Sequence, residues 1–394
     1  MRLIASRPVI ASFLLSAVSR VAPARGAGPL VLSRAAALHA RRLFVRPTAF
    51  AFPSEKPIGV LARRPLLSEA AASPRGMSSS PAESSPVERV AGRVALLQFR
   101  VGPSKPSNHA AARSYIDKAA ARGAQLCVLP EIWNGPYATA AFGEYAEILP
   151  GVGATLKDVE GDDAFSESAR VLMESAARHG MWIVGGSVPE RVSEDNGEDK
   201  IYNTCLCIDP EGTVVAKHRK VHLFDIDVPG GITFKESDTL SPGETMTAFD
   251  AGEPLGIIGV GICYDIRFPE YALLLCKKHK CNVLCYPGAF NLTTGPAHWE
   301  LLQKGRAVDN QVYVCTASPA RSPPPAEGEE GKYPHYSAWG HSTCVSPWGE
   351  VVATMDEGED VVVADLDVGK VAEMRSGIPI LEQKRNDMYQ ISEV

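Results

Sequence analysis

The chain contains no apolar run long enough to cross a bilayer, which takes about 20 residues. The strongest candidate, Val9-Ile-Ala-Ser-Phe-Leu-Leu-Ser-Ala-Val18, has the length of a secretory h-region and no more. There is no Cys-x-x-Cys pair, and the nine cysteines are an odd number. Most sit inside apolar stretches such as Asn282-Val-Leu-Cys285-Tyr286, so they read as small buried hydrophobes in a reducing compartment. That excludes a disulfide framework. A zinc site is excluded on similar grounds, because His218 and His222 have no third ligand nearby in sequence. Gly185-Gly186 lacks the downstream pattern of a phosphate loop. Acid is nearly missing from residues 1–76, which hold twelve Lys/Arg against Glu55 and Glu69 alone.

This basic head precedes an acidic body: the whole chain is −6, so the rest carries −16. An Ala-, Arg- and Ser-rich, acid-poor head is a targeting pattern, not a nucleic-acid-binding one. We read residues 1–88 as a mitochondrial or plastid presequence, with a disordered extension lacking an address as the plainer alternative. Met77 offers a second start that would leave a cytoplasmic form. Residues 89–394 read as one large globular domain without a membrane span.

In that domain strands alternate with helices. Strands are expected over 93–100, 125–129, 182–186, 202–208, 213–220, 255–262, 282–286, 311–316 and 361–367. Helices are expected over 108–122, 163–179, 269–279 and 298–309. Two closing strands flank Pro347-Trp-Gly349, Asn196-Gly197 marks a hairpin-like loop, and Ser322 to Lys332 forms a mobile Pro/Glu/Gly-rich loop. Several strands are apolar throughout, so the class is α/β with helix-covered, mixed sheets. The tail from Ile380 has no core pattern and is free to pack on a partner subunit.

Three segments carry chemistry. Cys263 leaves the end of the apolar run 255–262 in Gly-Ile-Cys-Tyr-Asp, the position of an activated nucleophile. Val128-Leu-Pro-Glu131 delivers a carboxylate past a strand, and His218-Arg-Lys-Val-His222 delivers Lys220. A thiol splits amide hydrolysis into thioester formation and thioester hydrolysis. It needs a base, for which Glu131 stands, and an oxyanion partner, for which Lys220 and the Tyr264 N–H stand. Taken singly, each has a plain reading as inert thiol, loop acid or solvated strand end.

Together these stretches resemble the nitrilase-type carbon–nitrogen hydrolases, whose catalytic set is Glu-Lys-Cys. Leu129-Pro-Glu131, Arg219-Lys220-Val-His-Leu-Phe-Asp225 and Gly261-Ile-Cys263-Tyr-Asp-Ile-Arg267 match the three blocks in family order. The flanking Asp225-Ile-Asp-Val-Pro-Gly230, Phe234-Lys-Glu-Ser237, Tyr286 to Trp299 and Arg306 to Gln311 resemble the omega-amidase branch. The resemblance implies a four-layer α-β-β-α sandwich, a homodimer or larger homo-oligomer, and no cofactor or metal. It implies hydrolysis of the terminal amide of short dicarboxylate monoamides such as 2-oxoglutaramate, 2-oxosuccinamate and succinamate. Glu236 matches the family's second glutamate, positioned to keep Lys220 charged. An amidase of the deaminated-glutathione type is the nearest alternative, a true nitrilase a further one, and a non-catalytic scaffold the alternative from another class.

Such substrates end in a carboxylate, which calls for a fixed arginine. Arg267 is the candidate, with a structural arginine as the competing reading. Tyr137 is a candidate hydroxyl donor, and carbonyls near Pro287-Gly288 are candidates for the amide nitrogen. His298 reads as a cap or packing residue and His335 as solvent-facing. The stretch Arg321 to Lys332 is longer and more acidic than the family pattern, and the basic head has no counterpart in it.

Overall fold

The computed structural model describes residues 91–393, apart from 160–164, 195–196, 228, 230–232, 327 and 329–330. The chain divides into two units, Met1–Pro81 and Ala82–Val394, and all described residues belong to the second. The expected presequence therefore lies outside the described residues.

The strands run in chain order through two sheets. β1 (Gly92–Gln98), β2 (Leu126–Val128), β3 (Trp182–Val184), β4 (Val188–Ser193), β5 (Asp199–Ile208) and β6 (Val214–Arg219) build the first. A small ribbon, β7 (Asp225–Asp227) and β8 (Thr233–Lys235), comes next. β9 (Thr247–Asp250), β10 (Ile257–Val260), β11 (Val283–Pro287), β12 (Tyr313–Ala317), β13 (Thr343–Val345) and β14 (Val351–Thr354) form the second. β15 (Asp360–Leu366) returns to the first sheet beside β1. The first sheet has the order β15-β1-β2-β3-β5-β4 with β6 also on β5, and the second the order β14 to β9. Each is mixed: β1-β2-β3 and β10-β11-β12 are parallel, and the flanking pairs are antiparallel.

Strand periodicity assigns the layers. On β1, Val94 and Leu96 face the second sheet, in one core with Ile258, Val260, Cys285 and Cys315. Ala95 and Leu97 point the other way, onto α1 (Lys105–Ala121) and α4 (Glu167–His179) through Ile116, Ala119, Val171 and Leu172. A slip of one residue would exchange these faces, so burial on both sides fixes the register. Between α1 and α4 stand two short helices, α2 (Thr139–Tyr145) and α3 (Leu156–Val159). α5 (Pro269–Lys278) and α6 (Gly295–Asn310) cover the second sheet with Leu275, Cys276, Trp299 and Ala307. The result is the expected α-β-β-α sandwich, closed by α7 (Val368–Gly377).

Element boundaries moved where capping outranks periodicity. α1 starts at Lys105 because the Ser104 side chain accepts the Ser107 N–H and Pro106 fits the first turn. Ser166 does the same for α4, which starts at Glu167 instead of 163. α6 begins at Gly295 with Pro296 in its first turn, so His298 is not its cap. α7 has no counterpart in the sequence reading. It is anchored by the Gln311 side chain, which donates to the carbonyls of Met374 and Ile378. Gly185-Gly186 earns its glycines by close approach: Gly186 has φ +64, and a Cβ there would strike the Pro130 carbonyl oxygen.

Candidate active site

β5 is antiparallel to both β3 and β6, so β6 runs in the direction of β2 and β3. Glu131 past β2 and Lys220 past β6 therefore emerge at one end of the first sheet. Cys263 leaves β10 in the facing sheet. This end, beyond the carboxyl termini of parallel strands, is where open α/β sheets bind ligands.

All three side chains converge. Lys220 Nζ donates to Glu131 Oε1 at 2.9 Å and to Glu236 Oε1 at 2.9 Å. All three charged groups have no exposed surface. Asn203 of β5 holds the pair from beside it: its Nδ2 donates to Glu131 Oε1 (2.9 Å) and its carbonyl accepts the Lys220 N–H (2.8 Å). The Cys263 thiol stands near enough to the Glu131 carboxylate and the Ala289 backbone amide for both to act on it electrostatically. Glu131 Oε2 is buried and meets no conventional donor, which leaves it free for a proton from sulfur.

The charge states follow from burial and pairing. Burial raises Glu131 above the usual carboxylate range; Lys220 pulls it back, and Glu236 pushes it up again. Burial opposes the Lys220 ammonium, but the carboxylates of Glu131 and Glu236 outweigh it and hold the lysine charged. Burial and the Glu131 charge raise the Cys263 thiol well above its usual value despite Lys220. The shifts favour a protonated thiol at Cys263, beside the Glu131 carboxyl group.

Cys263 sits at φ +46, a left-handed conformation that costs a side-chain-bearing residue energy. It opens a short 3₁₀ turn, Cys263–Arg267, and the strand before it ends at Val260. Asp265, fully buried, clamps that turn. It accepts the Ile262 N–H at 2.8 Å, the His222 N–H at 2.9 Å and His222 Nδ1 at 2.7 Å. His218 Nε2 lies 3.3 Å from it, with Nδ1 on Thr247. Burial raises the Asp265 pKa, but the hydrogen bonds from His218 and His222 outweigh it and hold the carboxyl far below the carboxylate range. One carboxylate thus ties the cysteine turn to the segment bearing Lys220. Both histidines weighed for zinc are spent here.

Glu236 receives three donors: Lys220, the Phe224 N–H at 2.7 Å and the Tyr137 hydroxyl at 2.8 Å. Tyr137 therefore commits its one proton to Glu236, and its ring packs on Phe142, Phe234 and Tyr336. Arg267 is half-buried and lines the space in front of Cys263 with Tyr264, Phe290 and Asn291. Its guanidinium lies over the Phe290 ring at 4.8 Å, and Nη1 is 3.3 Å from His298 Nδ1. Among the described residues no carboxylate pairs with it. His298 is thus exposed and turned to Arg267, a different place from the expected cap or core packing. His335 is exposed, against Ser337. The Pro287-Gly288 strand end stands close, with the Cβ position of Gly288 3.4 Å from Cys263 Cα.

Asn203, Asp265 and Tyr336 were not singled out from sequence. Asp265 lay in plain view inside the cysteine block, and the His218/His222 pair was its other half. Asn203 sits mid-strand among apolar residues and Tyr336 follows a proline-rich loop; neither carries a local signal.

Residues 93–376 match the family model described as carbon-nitrogen hydrolase. The chain is 50% identical over 302 residues to the omega-amidase NIT2 of Danio rerio, covering 77% of this chain and 98% of that protein. It is 49% identical over 299 residues to the omega-amidase NIT2 of Homo sapiens, covering 76% and 97%. The crystal structure of Saccharomyces cerevisiae Nit3, from branch 10 of the nitrilase superfamily, superposes with a TM-score of 0.63 at 38% identity, over 75% of this chain and 97% of that one.

The Asp265 clamp gives one test. Asp265→Asn removes the charge that four donors converge on and is expected to cost about 1.5–3 kcal/mol of stability, read by thermal unfolding. Cys263 alkylation in the still-folded variant should change rate, because the turn that aims the sulfur is loosened.

Proposed function

The chain belongs to the carbon–nitrogen hydrolase family, and we propose that it is an omega-amidase, hydrolysing the terminal amide of short dicarboxylate monoamides to dicarboxylate and ammonia. The observation that carries this reading is the buried contact set Glu131–Lys220–Glu236 with Cys263 against Glu131. The likeness to omega-amidases over nearly their whole length supports the substrate class. Among alternatives in the family, a deaminated-glutathione amidase requires more room. The likeness carries that choice, because the spaces flanking Cys263 and Glu131 measure about 10 and 30 Å³ and are too small for either substrate as they stand.

In the proposed mechanism, Glu131 takes the Cys263 proton as sulfur attacks the amide carbon. The oxyanion falls to Lys220 and the Tyr264 N–H. Glu131 returns the proton to the departing nitrogen, the C–N bond breaks, and ammonia leaves while the acyl group stays on the Cys263 sulfur as a thioester. Water then gives a proton to Glu131 while its oxygen attacks the thioester carbon, and the thiolate is reprotonated as the acid departs. No step calls on a metal or cofactor. Glu236, braced by Tyr137 and the Phe224 N–H, keeps Lys220 in place. Arg267, a half-buried cation without an internal carboxylate, receives the substrate's far carboxylate.

The same proposal extends to assembly and address. Residues 89–394 form the hydrolase domain, which self-associates. Leu301 and Val308 stand seven apart on α6 and are exposed, with the exposed Trp348 in the turn that packs on Val308. This apolar ridge suits a second copy. Residues 1–88 act as an organelle presequence on their composition, with a cytoplasmic form starting at Met77 as the alternative. Among the described residues no helix is long and apolar enough to cross a membrane.

Ammonia release from a panel of 2-oxoglutaramate, succinamate, deaminated glutathione and a simple nitrile tests the reading. Turnover is expected for the first two and none with Cys263→Ala; preference for deaminated glutathione or the nitrile would overturn it. The acid limb of kcat/KM should lie above the ordinary glutamate value of about 4.3, because Glu131 is shifted upward and its protonation removes the base; a pH profile measures it. Arg267→Ala should raise KM for carboxylate-bearing amides by about 10- to 100-fold and leave neutral amides nearly unchanged. Equal losses for both would dismiss its assignment.

A further inference from the structure

Neither space beside the nucleophile can admit a substrate as it stands. A cavity needs roughly 10–15 Å³ for one water by this measure. The space lined by Cys263, Tyr264 and Arg267 is about 10 Å³, and the one lined by Glu131, Ile132 and Tyr137 about 30 Å³. Outside them lies a groove of about 610 Å³, walled by Tyr137, Tyr145, Tyr333 and the proline-rich segment. Among the described residues, Tyr336 is the one side chain that borders all three spaces.

Its attachments are few and specific. The hydroxyl donates to the Ala289 carbonyl, in the residue whose amide meets the Cys263 thiol. The ring lies against Tyr137, centroids 4.6 Å apart at 37°. The chain bearing it is clipped to α2 by Glu144, which accepts both Lys332 Nζ and the Tyr333 hydroxyl. A displacement of its ring therefore bears on both inner spaces and on the groove at once.

We propose that Tyr336 is a specificity-determining residue: its ring is the removable wall of the catalytic chamber, and the Glu144 clip sets how far it withdraws. Small amides enter with a limited swing of the ring. Bulkier acyl groups are refused because the clipped segment limits the opening. The substrate scale rests on the amidase reading, but access to the sulfur can be measured without turnover.

The experiment compares Cys263 alkylation by iodoacetamide with that by a bulky N-aryl maleimide, located by peptide mapping, in the full-length protein. Tyr336→Ala should lower the preference for the small reagent by about tenfold or more, the scale on which a pocket wall discriminates. Tyr336→Phe, which keeps the ring and loses only the hydroxyl, should retain most of the preference. Glu144→Gln lies outside the catalytic set and should relax the preference in the same direction by a smaller factor. It serves as the second arm should Tyr336→Ala fold poorly. An unchanged preference in Glu144→Gln and in folded Tyr336→Ala would overturn the proposal. Loss of the preference in Tyr336→Phe would also overturn the assignment to the ring. Absence of amidase turnover would remove the functional reading and leave this result standing.

Discussion

Lys220 is a charged lysine with no exposed surface, and the site is organised around making that tolerable. Burying an isolated ammonium costs several kcal/mol even after relaxation. Here two carboxylates lie within 2.9 Å, and their attraction exceeds the desolvation cost. The arrangement holds two acids to one base, so a negative charge is left over. Burial first, and the Glu236 charge after it, hold Glu131 above an ordinary carboxylate despite Lys220, and a raised carboxyl is better suited to return a proton as well as take one. Removing Lys220 would leave two buried carboxylates without their shared cation, so the stability of this end of the sandwich depends on the same contacts as its proposed chemistry.

The proposed nucleophile is held by a third carboxylate, Asp265, with the opposite design. Asp265 is surrounded by donors and stays ionised, a fixed anion with no proton to exchange. Its role is mechanical. It bonds the backbone before Cys263 and the backbone at His222, so the strained φ of the cysteine is balanced by charge-assisted hydrogen bonds within two residues. Glu131 and Asp265 are both fully buried acids, and environment alone separates the proposed proton carrier from the brace.

Much of this was legible in the sequence. The alternation of strands and helices gives α/β layering, and the three blocks each leave a strand end. The strand expected over 213–220 ends at Arg219, so Lys220 stands just past it. Other features were beyond reach because long-range contacts decide them. α7 is held by a glutamine 63 residues away in sequence, and its own periodicity is weak. Tyr137 reads as a candidate hydroxyl donor or a packing aromatic; its ring does pack on Phe142, Phe234 and Tyr336, and its proton goes to Glu236, 99 residues on. His298 reads as a helix cap, but the helix is started by Gly295 and Pro296, which frees the imidazole for Arg267. Asn203 satisfies Glu131 from the middle of a strand, and no local pattern distinguishes such a residue from packing.

The tightness of the chamber bears on the chemistry as well as on access. A thioester is exposed to any water that reaches it, yet the second half of the proposed reaction needs one water at one place. A space able to hold about one or two waters beside Glu131, next to another barely able to hold one beside Cys263, limits which water can arrive and from which side. The aromatic rings of Tyr137, Phe234 and Tyr336 keep the rest of the solvent out, and exclusion strengthens every charge interaction around Lys220. Enlarging the pocket for bulkier substrates would admit water to the ammonium and weaken its hold on the carboxylates. On the proposed reading, a narrow substrate range and a buried, paired lysine follow from the same close packing around the site.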